Sequence, residues 1–67
     1  MGEPINLTNE EVPFIVAILQ ELYISFQLQR KDGQPKVVIL EPALGRSVED
    51  WTKFVKRVIW SANLLKD

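Results

Sequence analysis

The residues of this chain that could do chemistry are a few carboxylates and serines. Glu10–Glu11 and Glu49–Asp50 are neighbouring carboxylates, and Mg²⁺ prefers such oxygen ligands. However, adjacent residues on a helix point in different directions, and acidic side chains are favoured at helix starts by capping and by the helix dipole. We therefore expect both pairs to cap helices rather than to hold a metal.

Nucleophilic and redox chemistry lack their usual groups in this sequence. The chain contains no histidine and no cysteine, so its serines have no imidazole base and there is no thiolate nucleophile or metal ligand. The three glycines are isolated and form no phosphate-binding loop. We expect no catalytic residue, no cofactor and no metal, and hence a protein that is not an enzyme.

The composition is that of an ordinary globular chain. Its 67 residues are 46 % hydrophobic and 25 % charged, which predicts a single domain over residues 1–67. Eight basic and nine acidic side chains leave a net charge of −1, so no overall field attracts nucleic acid or an anionic membrane. The longest apolar run, Val12–Leu19, is far shorter than the roughly 20 residues of a membrane span. We expect a cytoplasmic protein without a membrane segment.

The first predicted element is a helix over residues 9–22. Thr8 and Glu11 have the spacing of a capping box, and an apolar stripe follows at helical spacing. The stripe consists of Val12, Ile15, Val16, Leu19, Leu22 and Tyr23. Phe14 and Ile18 lie on another side of this helix, so we expect it to contact two surfaces.

A β-hairpin is predicted next, with strands over residues 24–29 and 36–41. Asp32-Gly33 is a strong two-residue turn signal. A turn at this position pairs Phe26 with Ile39, Leu28 with Val37 and Arg30 with Pro35. The alternative is that the first helix continues to Gln29, because Phe26 also fits the helical stripe.

The second strand of this hairpin is apolar on both faces. Val37 and Ile39 point one way, while Val38 and Leu40 point the other. Either helices of the same chain cover both faces, or a second copy or another protein covers the outer face or extends the sheet edge. This surplus of apolar surface favours a homo-oligomer or a subunit of a complex.

The last predicted helix covers residues 48–65, with Ser47 as its N-cap. Its core stripe consists of Trp51, Phe54, Val55, Val58, Ile59, Ala62 and Leu65. The predicted fold is therefore a small α+β domain of the order helix–hairpin–helix. A two-stranded antiparallel sheet packs on the helices, and oligomerisation is one way to complete it.

The outward face of the last helix carries Trp60 and Leu64, flanked by Arg57. One interpretation is that the Trp60 ring covers the stems of Lys53 and Lys56. A second is that Trp60 is a protein-interface anchor. A third is nucleic-acid binding, with Lys53, Lys56 and Arg57 contacting phosphates and Trp60 stacking on a base.

The order of elements, the Lys31-Asp32-Gly33 turn and the Ser47-capped helix resemble the small head–tail joining proteins of lambda-type phages. The resemblance covers Phe26 to Ile59 and implies a structural joining role. From the residues themselves we expect a non-enzymatic protein-interaction module that binds its own copy, another protein, or both. The expected interface residues are Phe14, Ile18, Val38, Leu40, Arg57, Trp60 and Leu64.

Overall fold

Two helices pack on one face of a three-stranded antiparallel sheet in the computed structural model, which describes residues 2–65. The elements in chain order are β1 (Ile5–Asn6), α1 (Glu11–Glu21), β2 (Phe26–Lys31), β3 (Gln34–Ile39) and α2 (Val48–Leu64). The strand order is β1-β3-β2, so β3 is central. Within residues 2–65 no helix has the length and apolar content that crossing a membrane requires.

The prediction of a small α+β fold is confirmed, but the predicted two-stranded sheet is wrong. β1 adds a third strand, with Ile5 opposite Val37 and Asn6 opposite Lys36. The chain therefore begins with a strand and not with a helix. A strand of two residues directly after Pro4 is too short to show the alternation by which strands are recognised in a sequence.

The predicted hairpin is confirmed with its register. Phe26 pairs with Ile39, Leu28 with Val37 and Arg30 with Pro35. Asp32 and Gly33 both have positive φ, 55° and 78°, as the two-residue turn requires. The strands extend to the turn itself and end at Ile39, so the predicted bounds lie about two residues too far from the turn. The alternative of a first helix reaching Gln29 is excluded, because α1 ends at Glu21.

Helix α1 begins and ends with recognisable capping motifs. The Thr8 amide donates to Glu11 Oε1, and the Glu11 amide donates to Thr8 Oγ1, which is the predicted capping box. At the other end Tyr23 has φ of 56°, and the Tyr23 and Ile24 amides donate to the carbonyls of Gln20 and Leu19. These two bonds form a Schellman motif. It turns the chain out of the helix, so the predicted place of Tyr23 in the buried stripe is wrong: its side chain is 92 % exposed.

Helix α2 starts at the predicted cap, where Ser47 Oγ accepts from the Asp50 amide. Trp51 and Val55 are buried, as predicted, in one cluster with Ile15 and Leu19 of α1. The predicted core position of Leu65 is wrong: it follows the last helical residue and is exposed. There the helix extends past the apolar surfaces that could cover the side chain.

The core occupies the face of the sheet that carries Val37 and Ile39, and both helices contribute to it. Val38 lies on the other face, opposite Gln27, and is nevertheless only 1 % exposed. Thus both helices contribute to the core on one face of the sheet, and other parts of the chain bury Val38 on the other face.

Candidate protein-binding surface

Large exposed hydrophobic side chains are the main chemical feature of the surface. Within residues 2–65 they are Phe14, Tyr23, Leu28, Leu44, Trp60, Leu64 and Leu65. Four of the seven lie on the helices or directly after them: Phe14 in the first half of α1, and the other three at the end of α2. Scattered apolar side chains are normal on a protein, whereas a cluster of this kind marks an interaction site.

An apolar groove of about 420 Å³ lies between the two helices. It is lined by Phe14 of α1 and by Phe54, Arg57, Val58, Ser61, Ala62 and Leu65 of the second helix and its end. A smaller pocket of about 260 Å³ shares Phe14 and Ala62 with it and adds Glu10, Glu11 and Asn63. The groove therefore runs from the basic side chain of Arg57 towards the acidic start of α1.

Trp60 lies outside this groove, on the outward side of α2. Its position is opposite to that of Val58 on the helix, and it is 60 % exposed. Leu64 follows one turn later on the same side and is also exposed. Arg57 lines the groove and precedes Trp60 by three residues, so it joins the two regions. We call Phe14, Arg57, Trp60, Leu64 and Leu65 the helix surface.

Among residues 2–65, no lysine makes a cation–π contact with the Trp60 ring. Lys56 instead forms an ion pair with Glu3, with 2.5 Å between Nζ and Oε1. The hydrogen bond and positive charge of Lys56 lower the pKa of the Glu3 carboxyl below its usual value. Within residues 2–65 the cation–π contact is that of Arg46 over Trp51, at 5.3 Å. No cation–π contact among these residues therefore supports the interpretation that Trp60 covers the lysine stems.

The residues of the nucleic-acid interpretation are only partly brought together. Lys53 and Arg57 line one shallow pocket with Arg46, and Asp50 lines the same pocket. Lys56 is outside this pocket and paired with Glu3. Trp60 does not line it either. The aromatic side chain at this basic cluster is Phe54, and the predicted stacking residue Trp60 does not line the pocket.

The other predicted interface residues differ in accessibility. Ile18 is partly exposed on α1, one turn after Phe14, and Leu40 is partly exposed just beyond β3. Val38 is buried, so its expected role as an accessible interface residue is not supported by its position. Other residues of the same chain bury the Val38 side chain. Val38 therefore does not belong to the helix surface.

The carboxylate pairs lie at helix starts, where the sequence places them. Glu11 accepts the Thr8 amide, and Glu49 and Asp50 occupy the first turn of α2. No group of three or more acidic side chains that could hold a metal ion occurs among residues 2–65. The helix surface is therefore the feature on which a functional interpretation rests.

Two exposed side chains escaped the sequence analysis, Tyr23 and Leu44. Leu44 is at the tip of a two-residue turn closed by paired Ala43–Arg46 backbone bonds of 3.2 and 3.0 Å. Its φ is 53° and that of Gly45 is 76°, values that the turn type requires and that leucine rarely adopts. Gly45 indicated a turn, but the sequence did not predict that Leu44 would adopt the left-handed backbone conformation next to it.

Comparison with known protein families, with curated proteins and with solved structures gives no match for this chain. The resemblance to phage joining proteins therefore has no independent support from relatives.

Proposed function

We propose that this chain is a small, non-enzymatic protein-interaction module that binds protein through the helix surface. The observation that carries the proposal is the exposure of Trp60, Leu64 and Leu65 at the end of α2, where Leu65 and Phe14 also line an apolar groove. Tryptophan and arginine are the side chains most enriched among interface hot spots. The proposal includes self-association, a subunit or adaptor role in a larger complex, and a cytoplasmic location.

The shape of the groove supports a protein ligand. Phe14 lines it from α1, apolar side chains of α2 line it from the other side, and its polar members are Arg57 and Ser61. An amphipathic helix inserts its apolar anchors into grooves of this kind while its polar face remains in water. Such an occupant would cover Phe14 and Leu65 together, because these two side chains line the same groove from opposite sides.

The composition supports a binding role over a catalytic one. Histidine and cysteine are absent from the chain, so a reaction would have to use carboxylates, lysines or hydroxyls. The acidic pairs are at helix starts, and Glu11 is engaged with Thr8. We do not propose nucleic-acid binding as a second function, because Lys56 is paired with Glu3 and Trp60 does not line the pocket formed with Arg46, Lys53 and Arg57.

The proposal is tested by photo-crosslinking in cells that make the protein. A benzoylphenylalanine at position 60 should give crosslinked products, either dimers of the chain or adducts with a second protein. The same probe at Gln20, an exposed residue at the end of α1, should give none. Leu64→Asp should remove the products at position 60, because a carboxylate in the apolar interface is costly to desolvate.

Equal products at positions 60 and 20, or none at either, would contradict the proposal. Light scattering behind a sizing column, at concentrations up to about 100 μM, then separates its two forms. A chain that crosslinks to a second protein at position 60 is an adaptor, whereas a concentration-dependent mass that Leu64→Asp abolishes indicates self-association through the helix surface.

A further inference from the structure

The two edges of the sheet are built differently. β1 has two residues and directly follows Pro4, so it offers little backbone to an incoming strand. β2 has six residues, Phe26–Lys31, contains no proline, and is the terminal strand of the sheet formed by residues 2–65. Natural proteins often blunt such an edge with proline, a bulge or charged side chains, and the charges of β2, Arg30 and Lys31, lie at its end next to the turn. The open edge of β2 is thus a candidate pairing surface.

The hairpin register determines which backbone groups of β2 face this edge. The Leu40 amide donates to the Ser25 carbonyl, so these two residues form a hydrogen-bonded pair. Such pairs alternate with non-bonded ones, and Pro35 opposite Arg30 has no amide to donate. The backbone groups of Phe26, Leu28 and Arg30 therefore point away from β3.

An independent bond on the other side of β3 agrees with this assignment. The Leu7 amide donates to the Pro35 carbonyl, so the backbone of Pro35 faces β1 and not β2. Leu28 shows that the edge is open: its side chain is on the helix-covered face, opposite buried Val37, and yet is 40 % exposed. A partner strand at this edge would find both free backbone groups and apolar side chains.

The sequence of β2 is complementary to itself around Leu28. In an antiparallel pair centred on this residue, Leu28 faces its own copy and Gln27 faces Gln29. Phe26 then faces Arg30, whose guanidinium is held by Asn9 at 3.1 Å within its own chain. Cross-strand apolar and amide pairs of this kind are favourable, whereas a parallel arrangement would bring each Arg30 next to its copy.

We propose that β2 pairs with β2 of a second copy, antiparallel and with Leu28 on the two-fold axis, to form a continuous six-stranded sheet. A two-fold axis requires a self-complementary patch, and this register provides one. The hydrogen bonds come from the outward amides and carbonyls of Phe26, Leu28 and Arg30. The inference goes beyond the proposed function, because it uses a different surface and leaves the helix surface free for another protein.

The pairing is tested with two double variants that differ at one position. Both carry Gln29→Glu, whose carboxylate also faces Lys36 of its own chain favourably. With Gln27→Lys, each introduced ammonium group faces an introduced carboxylate of the other copy, and the dimer dissociation constant should fall at least about fivefold. With Gln27→Glu, two carboxylates oppose each other twice, and the constant should rise by a similar factor.

A charge control accompanies these variants, since the second one also changes the net charge. Ala17→Glu with Asn63→Asp adds the same two negative charges at exposed helix positions away from β2, and it should leave the dissociation constant within about twofold of the parent. Equal changes in both Gln27 variants, or a monomer at every concentration, would overturn the proposal.

Amide hydrogen exchange provides a second readout on the unmodified chain. Gln27 and Gln29 amides should be protected at every concentration, because they bond to β3. The Leu28 amide should exchange quickly in dilute solution and become protected as copies associate. A Leu28 amide that remains fast in an associated sample would also overturn the proposal. Trp60→Ala should leave this equilibrium unchanged, so failure of the edge pairing and failure of the helix surface are separable.

Discussion

The indole N–H of Trp51 donates a 2.9 Å hydrogen bond to the carbonyl oxygen of Ala43, at the base of the turn that precedes α2. Arg46, on the other side of the same turn, places its guanidinium 5.3 Å from the Trp51 ring centre. Phe54 adds an edge-to-face contact at 5.4 Å. One buried side chain thus fixes the first turn of α2, the Ala43–Arg46 turn and part of the core.

Trp51→Phe should lower the free energy of unfolding by about 1–2 kcal/mol, because the ring stays but its hydrogen bond to Ala43 is lost. Trp51→Ala should cost about 3–5 kcal/mol by leaving a cavity in the core. Urea unfolding of both variants measures the difference. A phenylalanine variant as unstable as the alanine variant would show that the hydrogen bond, and not packing, dominates.

Trp60→Ala is the matched test on the exposed side of the same helix. Because Trp60 is outward, its truncation should change the free energy of unfolding by less than about 0.5 kcal/mol. Binding to the protein partner should weaken by about 2 kcal/mol or more, as for an interface anchor. Thermal melting and titration calorimetry measure the two effects. A loss of stability like that of Trp51→Ala would contradict the assignment.

Tyr23→Gly should stabilise the chain by about 1 kcal/mol. Tyr23 has a left-handed backbone at the end of α1, where a side chain is strained and glycine is the usual residue. Its ring is almost fully exposed, so little packing is lost. Tyr23→Ala, which keeps the strain, serves as the control and should bring no gain. Urea midpoints of the three proteins are compared, and equal midpoints would contradict the prediction.

Glu3→Gln should remove an acid-dependent part of the stability. The pKa of Glu3 is lowered in the folded chain by Lys56, so this carboxylate stabilises the fold above its unfolded pKa. The contribution is lost as the pH falls below the ordinary value of 4.5 and through the lower pKa of the folded chain. Both side chains are largely exposed, so the effect should be small and should vanish in high salt. Melting curves across this pH range, at two salt concentrations, measure it. An equal pH dependence in parent and variant would contradict the prediction.

The features that the sequence predicted correctly are those encoded by neighbouring residues. The Thr8–Glu11 capping box, the Asp32-Gly33 turn and the Ser47 cap each depend on positions at most three apart, and all three are present in the structure. The hairpin register followed from the turn, because a two-residue loop fixes which residues face each other.

The features that were missed depend on contacts between distant residues. β1 is a strand only because Ile5 pairs with Val37, and no local sequence pattern predicts this long-range pairing. Tyr23 fitted the helical stripe by spacing, but the Schellman motif ends the helix at Glu21, two residues before Tyr23. The groove combines Phe14 with the end of α2, so its lining could not be known before the helices were placed side by side.

The order in which the strands are synthesised has a consequence for folding in the cell. The pairing partners Ile5 and Val37 are separated by about 30 residues, so at typical translation rates β1 waits about 2–6 s for its partner to be made. The β2–β3 hairpin, in contrast, can close within microseconds of its synthesis. During that wait an unpaired strand is a hazard, since other nascent chains can pair with it. The two-residue length of β1 and the preceding Pro4, which hid it from the sequence analysis, make it a poor template for such pairing.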